Sequence, residues 1–207
     1  GTTIFEFNYL MDCEGVCGGS AVEDCTGMCN GSVVLDDYGC CGDNSTCMVI
    51  NEINYNSSLG FDMEDWVELH NYSDSSINIG NWKLKDDDDD NIFTIPENTI
   101  LSAGDFIVLC KDVAAFESQF PEVTNFIGDF GFGLSGGGEL LRLFDSNGQL
   151  VDKVEYNDIA PWPTEPDGTG PTLELINPSL ENDMASNWAA SNGNGTPGEI
   201  NSVYNDE

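Results

Sequence analysis

Short segments in which apolar and polar residues alternate recur along most of this chain, separated by turn-forming residues. In residues 65–71, Val67 and Leu69 share one side of an extended chain, while Glu68 and His70 share the other. A period of two is the pattern of a half-buried strand, so we expect Glu68 and His70 to face outward. Similar patterns predict strands at residues 48–55, 65–71, 77–85, 92–95, 105–111, 124–127, 139–144, 149–156 and 172–176. A series of this kind favours an all-β sandwich or barrel.

Local signals suggest how some of these segments connect. Residues 71–76 are rich in Asn, Ser and Asp, so we expect a turn that pairs strand 65–71 with strand 77–85, with a bulge at Gly80. The sequence DSNG at 145–148 predicts a hairpin between strands 139–144 and 149–156. The apolar spacing at 113–120 indicates a short helix that ends before Pro121.

Several motifs of this region occur in the order found in the lamin-tail domain family. They are 51–53 (NEI), 65–71 (DWVELHN), 80–84 (GNWKL), 101–105 (LSAGD), 151–156 (VDKVEY), 187–188 (NW) and 196–201 (TPGEIN). Residues 48–201 therefore resemble that family, in particular its bacterial, secreted branch. The resemblance implies an immunoglobulin-like β-sandwich, and for bacterial members a non-catalytic accessory role in extracellular proteins.

A cysteine-rich repeat with a period of twelve precedes this region. Residues 12–17 (DCEGVC) recur as 24–29 (DCTGMC), and an altered third copy follows at 36–41. A segment with so few core-forming residues needs disulfides to hold a shape. Zinc is disfavoured, because the chain has one histidine and no paired CxxC motifs. The segment resembles D-C-x-G-x-C-G-G repeats of secreted and cell-surface proteins. The predicted organisation is a strand at 1–11, a disulfide module at 12–47 and the sandwich at 48–207.

The cysteines of the module are odd in number, so one of them needs a partner elsewhere. The eighth cysteine, Cys110, lies in a predicted strand of the sandwich, and we expect it to bridge to the module; a buried free thiol is the alternative. The predicted disulfide cysteines are Cys13, Cys17, Cys25, Cys29, Cys40, Cys41, Cys47 and Cys110.

The strand predicted at the start of the sequence has no hairpin partner beside it. Its apolar residues are Ile4, Phe5, Phe7 and Tyr9. An unpaired apolar strand is a liability unless it joins a sheet, in its own chain or in a neighbouring copy. The sequence is compatible with both arrangements, and the second would build a fibre by strand addition.

The formal net charge of −33 disfavours nucleic acids and anionic membranes as partners. No run of about 18 apolar residues is present, so we expect no membrane insertion. The charge suits saline water, and it also suits Ca²⁺, which prefers carboxylate oxygens. The candidate calcium ligands are Asp86, Asp87, Asp88, Asp89 and Asp90, with Asp62, Glu64 and Asp65 as a second cluster. Solvated acidic loops are the alternative.

Catalytic motifs are weak in this sequence. His70 is the only histidine, and Ser135 in a glycine-rich segment lacks the strand-to-helix turn of a nucleophile elbow. Trp162 in a proline-rich segment could stack on a sugar or pack at the sandwich edge. We therefore predict a non-catalytic extracellular or cell-surface protein that self-associates or binds other extracellular proteins. A glycan- or surface-binding accessory module is the alternative.

Overall fold

A computed structural model describes residues 11–16, 19–22, 28–32 and 47–206. The chain divides into two compact units, Gly1–Asp43 and Asn44–Glu207. The predicted assembly residues Ile4, Phe5, Phe7 and Tyr9 lie outside the described residues. Among the described residues, no helix has the length and apolar character needed to span a bilayer.

In the first unit, the carboxylate of Asp12 organises the start of the cysteine repeat. Its Oδ1 accepts hydrogen bonds from the backbone N–H groups of Glu14 (3.1 Å) and Val16 (2.8 Å), and its Oδ2 from that of Ala21 (3.1 Å). A disulfide joins Cys13 to Cys29 and so links the first copy of the repeat to the second. The repeated aspartate is therefore a turn-capping residue in this copy.

The second unit is built from short strands and one α-helix. In the described residues these are β1 (Met48–Asn54), β2 (Trp66–Asn71), β3 (Ile77–Asn78), β4 (Lys83–Lys85), β5 (Ile92–Thr94), β6 (Ile100–Leu101), β7 (Phe106–Cys110), α1 (Val113–Gln119), β8 (Phe126–Gly128), β9 (Gly138–Phe144), β10 (Leu150–Asn157), β11 (Leu173–Leu175) and β12 (Trp188–Ala190).

The strands form two main sheets. One has six strands in the order β12-β11-β1-β2-β7-β8, and the other has four in the order β10-β9-β4-β5. Strands β3 and β6 form a separate pair. Every pairing is antiparallel except that of β7 with β8. Apolar residues of both main sheets, such as Val67 of β2 and Leu84 of β4, pack in one core. The predicted immunoglobulin-like β-sandwich is confirmed.

The face of the six-stranded sheet that points away from this core is also covered. Helix α1 begins after Asp112, whose Oδ1 accepts from the backbone N–H of Ala115 at 2.9 Å. Phe116 of the helix packs edge-on against Trp66 of β2, with ring centroids 5.8 Å apart. Both side chains are fully buried. A second, smaller core therefore lies between the helix and the sheet.

Part of the predicted strand pairing is wrong. Residues 77–85 do not form one strand, because the chain turns at Gly80 and Asn81, where Asn81 has a φ of 66°. A Cβ at position 80 would lie 2.7 Å from the backbone nitrogen of Asn98, so only glycine fits there. Strand β2 pairs with β1 and β7 rather than with the segment that follows it.

The predicted hairpin at residues 145–148 is confirmed. Strands β9 and β10 pair directly, with Leu141 opposite Val154. The Oδ1 of Asp145 accepts from the backbone N–H groups of Asn147 (2.9 Å) and Gln149 (2.7 Å), and Gly148 takes a φ of 82°. A local turn signal was sufficient here, because both strands adjoin the turn in sequence.

Candidate functional site

The five consecutive aspartates form the turn between β4 and β5, called here the acidic turn (residues 86–90). The turn is folded by its own carboxylates. Oδ1 of Asp86 accepts from the backbone N–H of Asp88 at 2.8 Å, and Oδ1 of Asp88 accepts from that of Asp90 at 2.9 Å. The amide of Asn91 donates to Oδ2 of Asp86 at 2.8 Å. Asp86 is only 3% exposed, whereas the other four aspartates are exposed.

Two cations hold the acidic turn against β9. The guanidinium of Arg142 donates to the backbone carbonyl of Asp86, and its Nη1 donates to Oδ1 of Asp89 at 3.0 Å. Lys85 approaches the same Oδ1 at 3.4 Å. Hydrogen bonds from Arg142 and Lys85 lower the pKa of Asp89 below its usual value. The negative charge of Asp89 is therefore balanced by the two basic side chains.

Asp86 and Asp87 lie beside Glu139 of β9, and carboxylate oxygens of the three residues lie within 4.8 Å of one another. Glu139 accepts from the hydroxyl of Tyr156 (3.1 Å) and the backbone N–H of Ser135 (3.0 Å). Burial raises the pKa of Glu139 to about 7, and the charges of the two aspartates add to this effect. In the part of the chain that the structure describes, no other His, Cys, Asp or Glu group has this metal-ligand geometry.

The second predicted cluster does not gather its carboxylates around one point. Asp62 accepts from the backbone N–H of Glu64 at 3.1 Å. Lys111 Nζ lies 2.7 Å from Glu64 Oε2 and 3.2 Å from Asp65 Oδ2. The backbone N–H of Leu134 also donates to that Asp65 oxygen, at 2.9 Å. These carboxylates are engaged by an ion pair and by backbone groups.

Three glutamates form the glutamate row (Glu52, Glu68 and Glu174) across the covered outer face of the six-stranded sheet. In register, Glu52 of β1 is opposite Glu174 of β11 on one side and Glu68 of β2 on the other. All three are 0% exposed. Alternation along β2 predicted a solvent-facing Glu68, and that prediction is wrong because residues from other parts of the chain cover this face.

Neutral groups supply the hydrogen bonds to the glutamate row. Thr172 donates its hydroxyl to Glu52, and Asn51 donates its amide to Glu68 at 2.9 Å. Burial, reinforced by Glu68 and Glu174, raises the pKa of Glu52 well above its usual value. Burial also raises the pKa of Glu68, to about 8. Glu68 is therefore mostly protonated at neutral pH, and burial favours the protonated form of Glu52 as well.

The environment of His70 differs from that of a catalytic base. Its ring stacks on Phe106, with centroids 4.1 Å apart and an interplanar angle of 18°. Burial lowers the pKa of His70 to about 4, so it is neutral at physiological pH. Ser135, the serine of the glycine-rich segment, accepts the hydroxyl of Tyr156 on its carbonyl at 2.8 Å.

The aromatic side chain of Trp162 packs at the sandwich edge. It is partly buried against the main core, and its ring lies 6.2 Å from that of Trp188 in β12. The indole N–H of Trp188 donates to the carbonyl of Asn182 at 2.7 Å. These contacts of Trp162 are therefore packing contacts within the sandwich.

The disulfide predictions have mixed outcomes. Cys13 pairs with Cys29, and Cys47 is also disulfide-bonded. The prediction that Cys110 bridges to the module is wrong, because Cys110 is a free thiol. It is 0% exposed and packs under helix α1 with Trp66 and Phe116. The remaining predicted disulfide residues, Cys17, Cys25, Cys40 and Cys41, lie outside the described residues.

The site that sequence reasoning missed is the one completed by Glu139. The composition of the acidic turn indicated a cation site, but Glu139 is remote in sequence. The pairing of Lys85 with Arg142 brings β9 beside β4 and so places Glu139 next to the turn. Such a long-range pairing has no local sequence signal.

The sequence matches the family model of the Lamin Tail Domain over residues 44–158, which is more than half of the chain. The match runs from just before β1 to the end of β10 and includes the acidic turn and Glu139. It confirms the resemblance identified from the motifs; those at 187–188 and 196–201 lie beyond the matched residues. No curated protein matches the sequence.

Proposed function

Because the chain belongs to the Lamin Tail Domain family, we propose that it is a non-catalytic structural or adhesion protein of the cell exterior. Its copies associate by β-strand addition, in which a strand from one copy extends a sheet of the next. Disulfides and calcium stabilise each copy. The observation that carries this proposal is the character of the sheet edges.

Three edge strands of the sandwich carry no charged residue in a chain with 38 acidic ones. They are β5 (IFT), β8 (FIG) and β12 (WAA), and no strand of the described residues pairs with their outer sides. Ile92 of β5 is 44% exposed. Charges, bulges and short length all protect open edges, and these three-residue strands are short but uncharged, so no side-chain charge opposes their pairing with another chain.

The fourth edge, β10, is an eight-residue strand that carries the charges and the register shift which the three short edges lack. It carries a register shift between Leu150 and Asp152 and exposes Lys153 and Glu155. Asp152 Oδ2 accepts from the backbone N–H of Ile50 at 2.7 Å, which ties this edge to β1. The contrast between β10 and the three uncharged edges supports strand addition at the latter.

The donated strand in this proposal is residues 4–10, which contain Ile4, Phe5, Phe7 and Tyr9. Backbone hydrogen bonds supply the affinity of strand addition, and alternate side chains supply its specificity. A donor and an acceptor on the same chain give a head-to-tail contact, which propagates into a fibre unless it closes into a ring.

An oxidising exterior location is supported by the cysteine chemistry. Cys13 and Cys29 form a disulfide within the repeat, and Cys47 is also oxidised. Structural disulfides persist outside the reducing cytosol. The acidic composition also suits an environment rich in salt and divalent cations.

Deleting residues 1–11 is expected to convert assemblies into folded monomers, because the deletion removes the donor strand and leaves the sandwich intact. Size-exclusion chromatography with light scattering measures the change. Matched variants are Phe7→Asp, which places a charge on the apolar face of the strand, and Glu6→Gln, which alters the other face. Assemblies that survive both the deletion and Phe7→Asp would rule out this donor strand.

Calcium is expected to bind where Asp86, Asp87 and Glu139 converge, since Ca²⁺ takes carboxylate oxygens in irregular loops. Millimolar Ca²⁺ should raise the melting temperature by a few degrees, and EGTA should reverse the rise. Asp87→Asn should remove most of this effect. Asp90→Asn, an exposed change in the same turn, should retain it. Equal responses of the two variants would contradict this site.

A further inference from the structure

The glutamate row is covered by one segment, called here the strap (residues 194–203). The strap donates to all three glutamates. The backbone N–H of Thr196 reaches Glu52 at 3.1 Å, and its hydroxyl reaches Glu174 at 2.8 Å. The backbone N–H of Gly198 donates to Glu68 at 2.5 Å.

Further along the strap, the hydroxyl of Ser202 and the backbone N–H of Val203 donate to Glu174, at 2.7 and 3.1 Å. Asn201 donates its amide to the carbonyls of Asn51 (3.0 Å) and Leu175 (2.8 Å). The described residues contain no backbone–backbone hydrogen bond between the strap and a strand. Side chains, and chiefly the carboxyl groups of the row, therefore hold the strap in place.

No cation compensates the row in the described structure. The basic residues of the chain contact it nowhere: Lys85 and Arg142 bind the acidic turn, and Lys111 binds Glu64 and Asp65. The other two, Lys83 and Lys153, are exposed.

The titratable groups on the neighbouring elements do not lie between the three glutamates. Strand β7 presents Val108 opposite Glu68. On β2 the next ionisable residue of this face is His70, which stacks on Phe106. The strap contributes only Glu199, which is exposed, as is Glu122 of the loop that meets Gly198 through Val123.

Ionisation of Glu52 and Glu68 would place two neighbouring negative charges in a buried layer that no basic side chain of the described residues contacts. Like charges in such a layer repel strongly, and each one lacks hydration. The strands cannot separate without breaking their ladders. The strap can detach as a loop, because the backbone bonds that anchor its two ends lie outside it. The backbone N–H of Ser191 donates to the carbonyl of Thr172, and that of Asn205 donates to the carbonyl of Ile176.

We propose that the strap is a pH-sensitive cover, docked while Glu52 and Glu68 are protonated and detached once both are ionised. Detachment admits water to the outer face of the six-stranded sheet and leaves the sandwich core folded. The strap thereby couples the pH outside the cell to the accessibility of that face.

Hydrogen exchange of the full chain tests this inference, with rates corrected for the intrinsic effect of pH. Between about pH 6 and pH 9.5, protection of the strap amides of Thr196, Gly198 and Val203 should fall by roughly tenfold or more. The core amides of Leu69 and Val108 exchange through global unfolding, so at the higher pH they should remain far better protected than the strap amides. Glu68→Gln, which mimics the protonated group, should keep the strap protected at the higher pH.

A second variant, Glu52→Gln, serves the same purpose if Glu68→Gln fails to fold. Constant strap protection across this pH range would overturn the inference. Equal protection of the strap and the core at the higher pH would also overturn it, because the strap would then have no separate transition. So would a folded Gln variant whose strap opens as in the unmodified protein.

Discussion

We expect the melting temperature to fall by about 5–10 °C as the pH rises from about 6 to 8.5, corresponding to a loss on the order of 3 kcal/mol in the free energy of unfolding. Burial raises the pKa of Glu68 to about 8 and that of Glu139 to about 7, and raises the pKa of Glu52 as well. In the unfolded chain, glutamates titrate at about 4.3.

The sign follows from proton binding. Between the unfolded and folded pKa values, the folded state binds more protons than the unfolded state, so raising the pH favours unfolding. The pKa of His70 is lowered to about 4, which opposes this trend, but only below its unfolded value of about 6.5. Asp152, whose pKa burial raises to about 6, acts in the same direction as the glutamates over that lower range.

Differential scanning calorimetry in a constant ionic strength measures this dependence. Glu68→Gln should flatten it, because the amide cannot ionise. Glu199→Gln, a change at an exposed position of the strap, should leave the slope unaltered. A melting temperature that rises across this range, or a slope that Glu68→Gln does not change, would show that Glu68 is ionised in the folded protein.

Asn71→Asp is expected to destabilise the sandwich by about 3 kcal/mol or more, which lowers the melting temperature by roughly 10 °C. Asn71 is fully buried at the end of β2. Its amide nitrogen lies within hydrogen-bonding distance of the carbonyls of Ser75 (2.9 Å), Leu101 (3.1 Å) and Ser102 (2.8 Å). A carboxylate cannot donate, so these carbonyls would face a buried negative charge.

The matched control for this change is Asn78→Asp. Asn78 is exposed, and its Oδ1 accepts from the backbone N–H of Gly80 at 3.0 Å, a role that an aspartate can fill. The melting temperature of the Asn78→Asp variant should stay within about 2 °C of that of the unmodified protein. Equal effects of the two substitutions in thermal denaturation would contradict the role assigned to Asn71.

Period-two alternation predicted most strands of the sandwich, because which residues share a face is a local property of an extended chain. The hairpin at 145–148 was predictable for the same reason. Strand partners were not predictable in this way, as β2 illustrates. The segment that follows β2 contains β3, which pairs with β6, whereas β2 itself pairs with β1 and β7.

Alternation also does not reveal whether a second face is covered. Glu68 and Cys110 both lie on the outer face of the six-stranded sheet, where the strap and helix α1 bury them. Each cover buries a residue that is remote from it in sequence: the strap buries Glu68, and helix α1 buries Trp66. The prediction of an exposed glutamate and that of a bridging cysteine therefore failed for one physical reason.

The acidic turn was conspicuous in composition, yet its aspartates have different roles. Asp89 is bound by Arg142 and Lys85, and Asp88 caps the backbone of Asp90. Only Asp86 and Asp87 face Glu139. The composition indicated a concentration of negative charge, and the pairing of β4 with β9 determines which carboxylates come together.

The central claim is that residues 4–10 of one copy extend a sheet of another. Isothermal titration of the chain lacking residues 1–11 with a peptide of residues 1–11 tests it most directly. The account predicts saturable binding of one peptide per chain, abolished by Phe7→Asp in the peptide and retained with Glu6→Gln. A folded, truncated chain that binds no peptide, while the full chain remains monomeric, would contradict the claim.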